Sequence, residues 1–114
     1  MEGNEEKEVV MSGKSIEDID QIRVYGEETF GERKADEYYK SLMQAIKSLE
    51  TGYLMYSECQ QLMTQRKIYR RIIVESHIII YRIAKRVEVL RVLHSASSNR
   101  KIRSARTEKF KNSG

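Results

Sequence analysis

The sequence predicts an α+β domain: an amino-terminal strand, an antiparallel two-helix hairpin and a three-stranded antiparallel meander. Three observations predict it. Apolar residues recur at helical spacing between residues 15 and 52, three β-branched runs follow at hairpin spacing between 68 and 94, and a glycine punctuates each helical stretch at its end.

The short apolar run Glu8 to Met11 (EVVM) reads as a first strand that completes the sheet. Ser15, with Asp18 three residues on, reads as the N-cap of the first helix. Ile16, Ile19, Ile22 and Phe30 then supply its apolar face beside Glu17, Asp20 and Glu27, up to Gly31. A second helix from Glu32 carries Ala35, Tyr38, Leu42, Ala45, Ile46 and Leu49 along one stripe until Gly52 stops it. The single-glycine joint folds the two helices into an antiparallel hairpin.

The link from Gly52 to Lys67 holds Tyr53, Leu54, Met55, Tyr56, Leu62 and Met63, enough apolar content for a short third helix over the sheet. Ile68 to Val74, Ile78 to Ile83 and Val87 to Leu93 have the composition and length of strands. Their connections, Glu75 to His77 and Ala84 to Arg86, are short enough for hairpins. Strict alternation in the last run would put Val87, Val89, Arg91 and Leu93 on one face, so the sheet needs cover on one side. The other face would then be apolar at its centre and rimmed by arginine, as suits a binding surface.

At 114 residues, with 39% hydrophobic and 33% charged residues, the chain reads as one globular domain over residues 1–98 and a basic tail over 99–114. No charged start followed by an apolar stretch suggests a secretory signal, and Glu75, His77 and Arg82 interrupt the apolar strands well short of a membrane span. The expected address is the cytoplasm. Cys59 is the sole cysteine, which excludes an internal disulfide and a cysteine-based zinc cluster and reads as an inert thiol. His77 and His94 are the only histidines, too few and too far apart in sequence to resemble a metal site, and no cofactor is implied.

The net charge of +4 conceals an asymmetry: residues 1–37 carry −7, residues 38–65 are neutral and residues 66–114 carry +11. A basic half of this size attracts nucleic acid or an acidic protein segment. Individual strand arginines also serve as solubilising guards against edge pairing. The tail, with Arg100, Lys101, Arg103 and Arg106, is read either as a solvated segment or as a short basic helix that orders on a partner.

These residues resemble the RelE/ParE superfamily of toxins from bacterial type II toxin-antitoxin systems. The segment IEDIDQIRVYGEETFGERKADEYYKSLMQAIKSLE is similar to the family's helical hairpin, and YRRIIVESHIIIYRI with VEVLRVLH is similar to its sheet. Phe30-Gly31 and Leu93-His94 sit where the family has a phenylalanine-glycine pair and a closing leucine-histidine pair. The resemblance covers roughly residues 8 to 98. The chain departs from the family in lacking the proline usual in the link.

The resemblance implies a cognate antitoxin that lays an acidic amphipathic segment over the toxin in a heteromeric complex. It also implies one of two targets: DNA gyrase, bound without catalysis by the ParE branch, or mRNA on the ribosome, cleaved by the RelE branch. Cleavage through the 2′-hydroxyl needs a base, an acid and positive charge on the phosphate. Arg70, Arg71, Arg82 and Arg91 supply charge, and His94 with Tyr81 or Glu75 is the only candidate acid-base set, because Ser95 to Asn99 offer none. The closing Leu90-Arg91-Val92-Leu93-His94 looks more like the ParE pattern. The sequence is therefore read as a gyrase-binding, non-enzymatic toxin, with Arg70, Arg71, Arg82, Arg91, Arg100, Lys101, Arg103 and Arg106 as target- or antitoxin-binding residues. A mRNA endoribonuclease using His94, Arg71, Arg82, Arg91 and Tyr81 is the alternative. A non-toxic RNA-binding module is the third reading, weakened by the absence of Trp and by Phe30 and Phe110 lying outside the strands.

Overall fold

The computed structural model describes residues 5–110. A four-stranded sheet of order β1-β4-β3-β2 is built from β1 (Val9–Met11), β2 (Tyr69–Val74), β3 (His77–Ile83) and β4 (Val87–His94). The α+β order predicted from the sequence is the one observed: β1 precedes α1 (Gly13–Phe30) and α2 (Glu32–Gly52), and the meander follows. β1 runs parallel to β4, with Val9 opposite Val87 and Met11 opposite Val89; the other pairs are antiparallel.

The helices lie on one face of the sheet. Leu42, Ile46 and Leu49 of α2 and Ile19 of α1 meet Ile79, Tyr81 and Val89 of the strands in the main core. The two helices approach closely at Gly26, where a Cβ would stand 3.3 Å from that of Ala35. Gly31 joins them at φ 93°, a conformation that glycine adopts without the cost a side chain would impose.

Several expectations are corrected. The first helix is capped by Ser12, not Ser15: Ser12 Oγ accepts from the Ser15 N–H (2.9 Å) and the Ser15 hydroxyl donates back to the Ser12 carbonyl (2.8 Å). Ile16 and Phe30 are exposed, so the buried face of α1 rests on Ile19 with the half-buried Ile22. The link contains a 3-10 turn, Gln60–Leu62, rather than an α-helix. Its Ser57 to Cys59 stretch instead lines the outer edge of β2, with the Cys59 N–H on the Tyr69 carbonyl and the Arg71 N–H on the Ser57 carbonyl.

Alternation also fails in β4. Ile80 faces Arg91 while Tyr81 faces Val89, leaving Leu90 as an extra residue in the strand. Val87, Val89 and Val92 consequently pack under the helices, and Leu90 and Leu93 turn to the opposite face. That opposite face is covered too. A short helix α3 (Asn99–Arg103) and the 3-10 turn Ser104–Thr107 bury Ile102 and Ala105 against Ile78, Ile80 and Leu90, with Leu62 alongside. The segment that alternated between solvated tail and partner-ordered helix is folded on its own chain through residue 107, and residues 111–114 lie outside the described residues.

Candidate functional site

Three of the strand arginines, Arg70, Arg82 and Arg91, are committed inside the fold. Arg70 donates to the carbonyls of Leu54 (3.0 Å), Tyr56 (3.1 Å) and Lys67 (3.0 Å), stapling the link to β2. Arg82 donates from Nε to Glu88 Oε1 (2.6 Å) and lies over the Tyr69 ring at 5.8 Å. Burial opposes its charge, but the hydrogen bonds with Tyr69 and Glu88 prevail and its pKa is raised. Arg91, 8% exposed, makes a bidentate pair with Asp18 at 2.7 and 2.9 Å, and the Asp18 carboxylate also accepts the Val92 N–H at 2.9 Å. Glu108 stands 4.0 Å from the same guanidinium. Arg71 is half-buried opposite Ile80, and Tyr81 is fully buried with its hydroxyl on the Tyr53 carbonyl at 2.7 Å.

Arg100, Lys101, Arg103 and Arg106 are placed differently. Ile102 and Ala105 anchor their segment inward at a spacing of three, and all four cations are exposed. Ser98 caps the helix by accepting the Lys101 N–H at 3.1 Å. The outcome is a cationic ridge fixed on a folded element.

A second feature lies where the helices meet the ends of β3 and β4. A groove of about 890 Å³ runs from Tyr25 and Phe30 near the tip of the helical hairpin to Tyr38, His77, His94 and Lys101. Tyr25 and Phe30 are exposed and stack edge-on at 6.5 Å. The sequence kept the two histidines apart, but strand pairing sets His77 directly opposite His94, with ring centroids 5.5 Å apart and planes at 74°. The Ala84 to Arg86 turn that joins β3 to β4 starts this register, with Ile83 opposite Val87, and the extra residue at Leu90 shifts it by one before it reaches His77. Had the pairing run on in step from Tyr81 and Val89, Leu93 and not His94 would face His77. The hairpin spacing was visible in the sequence, but the bulge was not.

The hydrogen bonds around the pair assign its protons. The Tyr38 hydroxyl lies 2.9 Å from the Val74 carbonyl and 2.7 Å from His77 Nδ1. A carbonyl only accepts, so Tyr38 donates its one proton there and takes the N–H of His77 Nδ1. His77 Nε2 is then left with a free lone pair. His94 Nδ1 accepts the Ala96 N–H at 3.0 Å, which places its proton on Nε2. Burial, then the neighbouring His94, pushes the His77 pKa below its ordinary value, keeping it neutral near pH 7. Among the candidate acid-base residues, Tyr81 is far from serviceable, because burial raises its pKa strongly.

Cys59 is fully buried in the second core, and burial raises its thiol pKa. It should resist iodoacetamide at neutral pH in the native protein and react once urea unfolds the chain. Rapid labelling of the native protein would refute the inert reading.

No helix of the described residues is long and apolar enough to cross a membrane, and none of them gathers three or more His, Cys, Asp or Glu side chains for a metal ion. The family model described as ParE toxin of type II toxin-antitoxin system, parDE, matches residues 9–98. Toxin ParE1 of Caulobacter vibrioides is 32% identical over 90 residues, covering 79% of this chain and 91% of that protein. Among solved structures, the chromosomal ParDE TA system from P. aeruginosa superposes with a TM-score of 0.65 at 16% identity, over 79% of this chain and 97% of that one, a likeness of fold.

Proposed function

Because the chain belongs to the ParE toxin family of type II toxin-antitoxin systems, we propose that it stops growth by binding DNA gyrase in the cytoplasm and that a cognate antitoxin silences it. The observation that carries the binding reading is the cationic ridge: Arg100, Lys101, Arg103 and Arg106 are exposed on a folded segment, whereas Arg70, Arg82 and Arg91 already neutralise or cap groups of the chain itself. A ridge of this kind fits the acidic surface of a DNA-bound complex and adds speed to its encounter. Arg71, half-buried beside the edge of β2, is the strand arginine best placed to join it. The groove with Tyr25 and Phe30 at one end suits an amphipathic antitoxin segment, its apolar side on these rings and its acidic side on Lys34 and Lys101.

The reading is tested by inducing the gene without its antitoxin and following thymidine and methionine incorporation together. DNA synthesis should fall first, with filamentation. Reversing Arg100, Arg103 and Arg106 to glutamate, with Lys101 of the groove left in place, should abolish this effect and leave antitoxin co-purification intact. Retained toxicity would remove the ridge from the mechanism.

A second reading, the mRNA endoribonuclease, is favoured by one observation, the contact of Tyr38, His77 and His94 at one end of the groove. It requires methionine incorporation to collapse first, and that collapse to be lost in His94→Ala.

A further inference from the structure

Two imidazoles bound to one tetrahedral ion through bonds of about 2.0–2.1 Å hold their ring centroids roughly 5 Å apart. His77 and His94 hold theirs at 5.5 Å before any ion is considered, on adjacent strands whose register leaves little freedom to separate them. We propose that the cross-strand pair His77 and His94 chelates a single borderline divalent transition ion, of the zinc or nickel class, at the end of the groove between the helices and the sheet. This inference is independent of what the toxin attacks.

His77 is prepared for the role. Its Nδ1–H is held by the Tyr38 oxygen at 2.7 Å, and Tyr38 is itself fixed by the Val74 carbonyl at 2.9 Å. An outer partner of this kind sets the tautomer and aims the free Nε2 lone pair at the ion. Nitrogen donors select zinc or nickel over calcium and magnesium, which take oxygen ligands.

His94 enters at a cost. Its Nδ1 lone pair is engaged by the Ala96 N–H, so the ion either replaces that N–H at Nδ1 or binds Nε2 after its proton has moved to Nδ1. In both cases the Ala96 amide loses its acceptor. Ala96 is exposed, and water takes the amide over. The amide therefore reports on binding at this site and no other. With two protein ligands, the remaining positions belong to water, and binding is that of a chelate rather than of a closed structural site.

The test uses the untagged full-length chain and nickel chloride alone, followed by calorimetry and by the backbone amide spectrum. The expected result is one ion per chain, a displaced Ala96 resonance, loss of binding in both His77→Asn and His94→Asn, and unchanged binding in Cys59→Ser. Tyr38→Phe should weaken binding about 10-fold through the lost outer partner. Absence of binding, binding that survives His94→Asn, or binding that leaves Ala96 unmoved would each overturn the proposal. His94 is exposed, so its substitution tests the site even where His77→Asn disturbs the fold.

Discussion

Replacing Asp18 with alanine should destabilise the domain by about 3–5 kcal/mol, the usual cost of stranding one member of a buried ion pair. Two losses combine. Arg91 keeps its charge at a side-chain exposure of 10% with only Glu108, 4.0 Å away, to answer it, and the Val92 N–H loses its acceptor. That amide lies on β4 beyond the point where β1 stops pairing, so the Asp18 carboxylate takes the place of a missing strand there. Urea denaturation checks the figure. The double variant Asp18→Leu with Arg91→Met should recover much of the loss, because the stranded charge goes with it. If the single variant unfolds at the wild-type urea midpoint, the pair is not holding α1 to the sheet.

Leu42→Ala should cost about 2–5 kcal/mol, since the side chain is entirely buried between α1 and the sheet and its removal leaves a cavity that flanking helices fill poorly. Set against the 5–15 kcal/mol typical of a whole domain, either substitution consumes a large part of the stability. Both are read in the same urea experiment, and a shift in midpoint without a change in slope identifies lost stability rather than an altered unfolded state. A Leu42→Ala cost below that of an ordinary surface change would mean that the helical hairpin is not docked as described.

The two substitutions also differ in how far the sequence announced them. Leu42 belongs to a stripe with Ala35, Ile46 and Leu49 that repeats at helical spacing, so its burial was legible at once. Asp18 read as a capping partner of Ser15. Its true partner lies 73 residues away, and no local pattern announces such a pair. The resemblance to the toxin superfamily was legible because it rests on the order of elements and on short motifs such as Phe30-Gly31 and Leu93-His94.

Three features escaped for physical reasons. The bulge at Leu90 sits between Val89 and Arg91 in a strand whose apolar residues fall on both alternating sets, so alternation carries no mark of the slip. The cover on the second face depends on Ile102 and Ala105, two residues of a five-residue helix and the turn after it, too short for periodicity to register. The commitment of Arg70, Arg82 and Arg91 to internal partners could not be read from a charge count, which treats every guanidinium as free.

The parallel pairing of β1 with β4 sets a timetable for the chain on the ribosome. Val9 meets Val87, and the second face closes only when Ala105 arrives, so the fold needs contacts across nearly its whole length. The helical hairpin and the β2-β3 hairpin are built from neighbours and can form while translation proceeds. The sheet waits for the last strand to clear the exit tunnel. Chains cut short by a stop codon or a stalled ribosome before β4 therefore lack both the strand that joins β1 to the rest of the sheet and the cationic ridge that follows it, so an aborted message yields neither the fold nor its exposed charge.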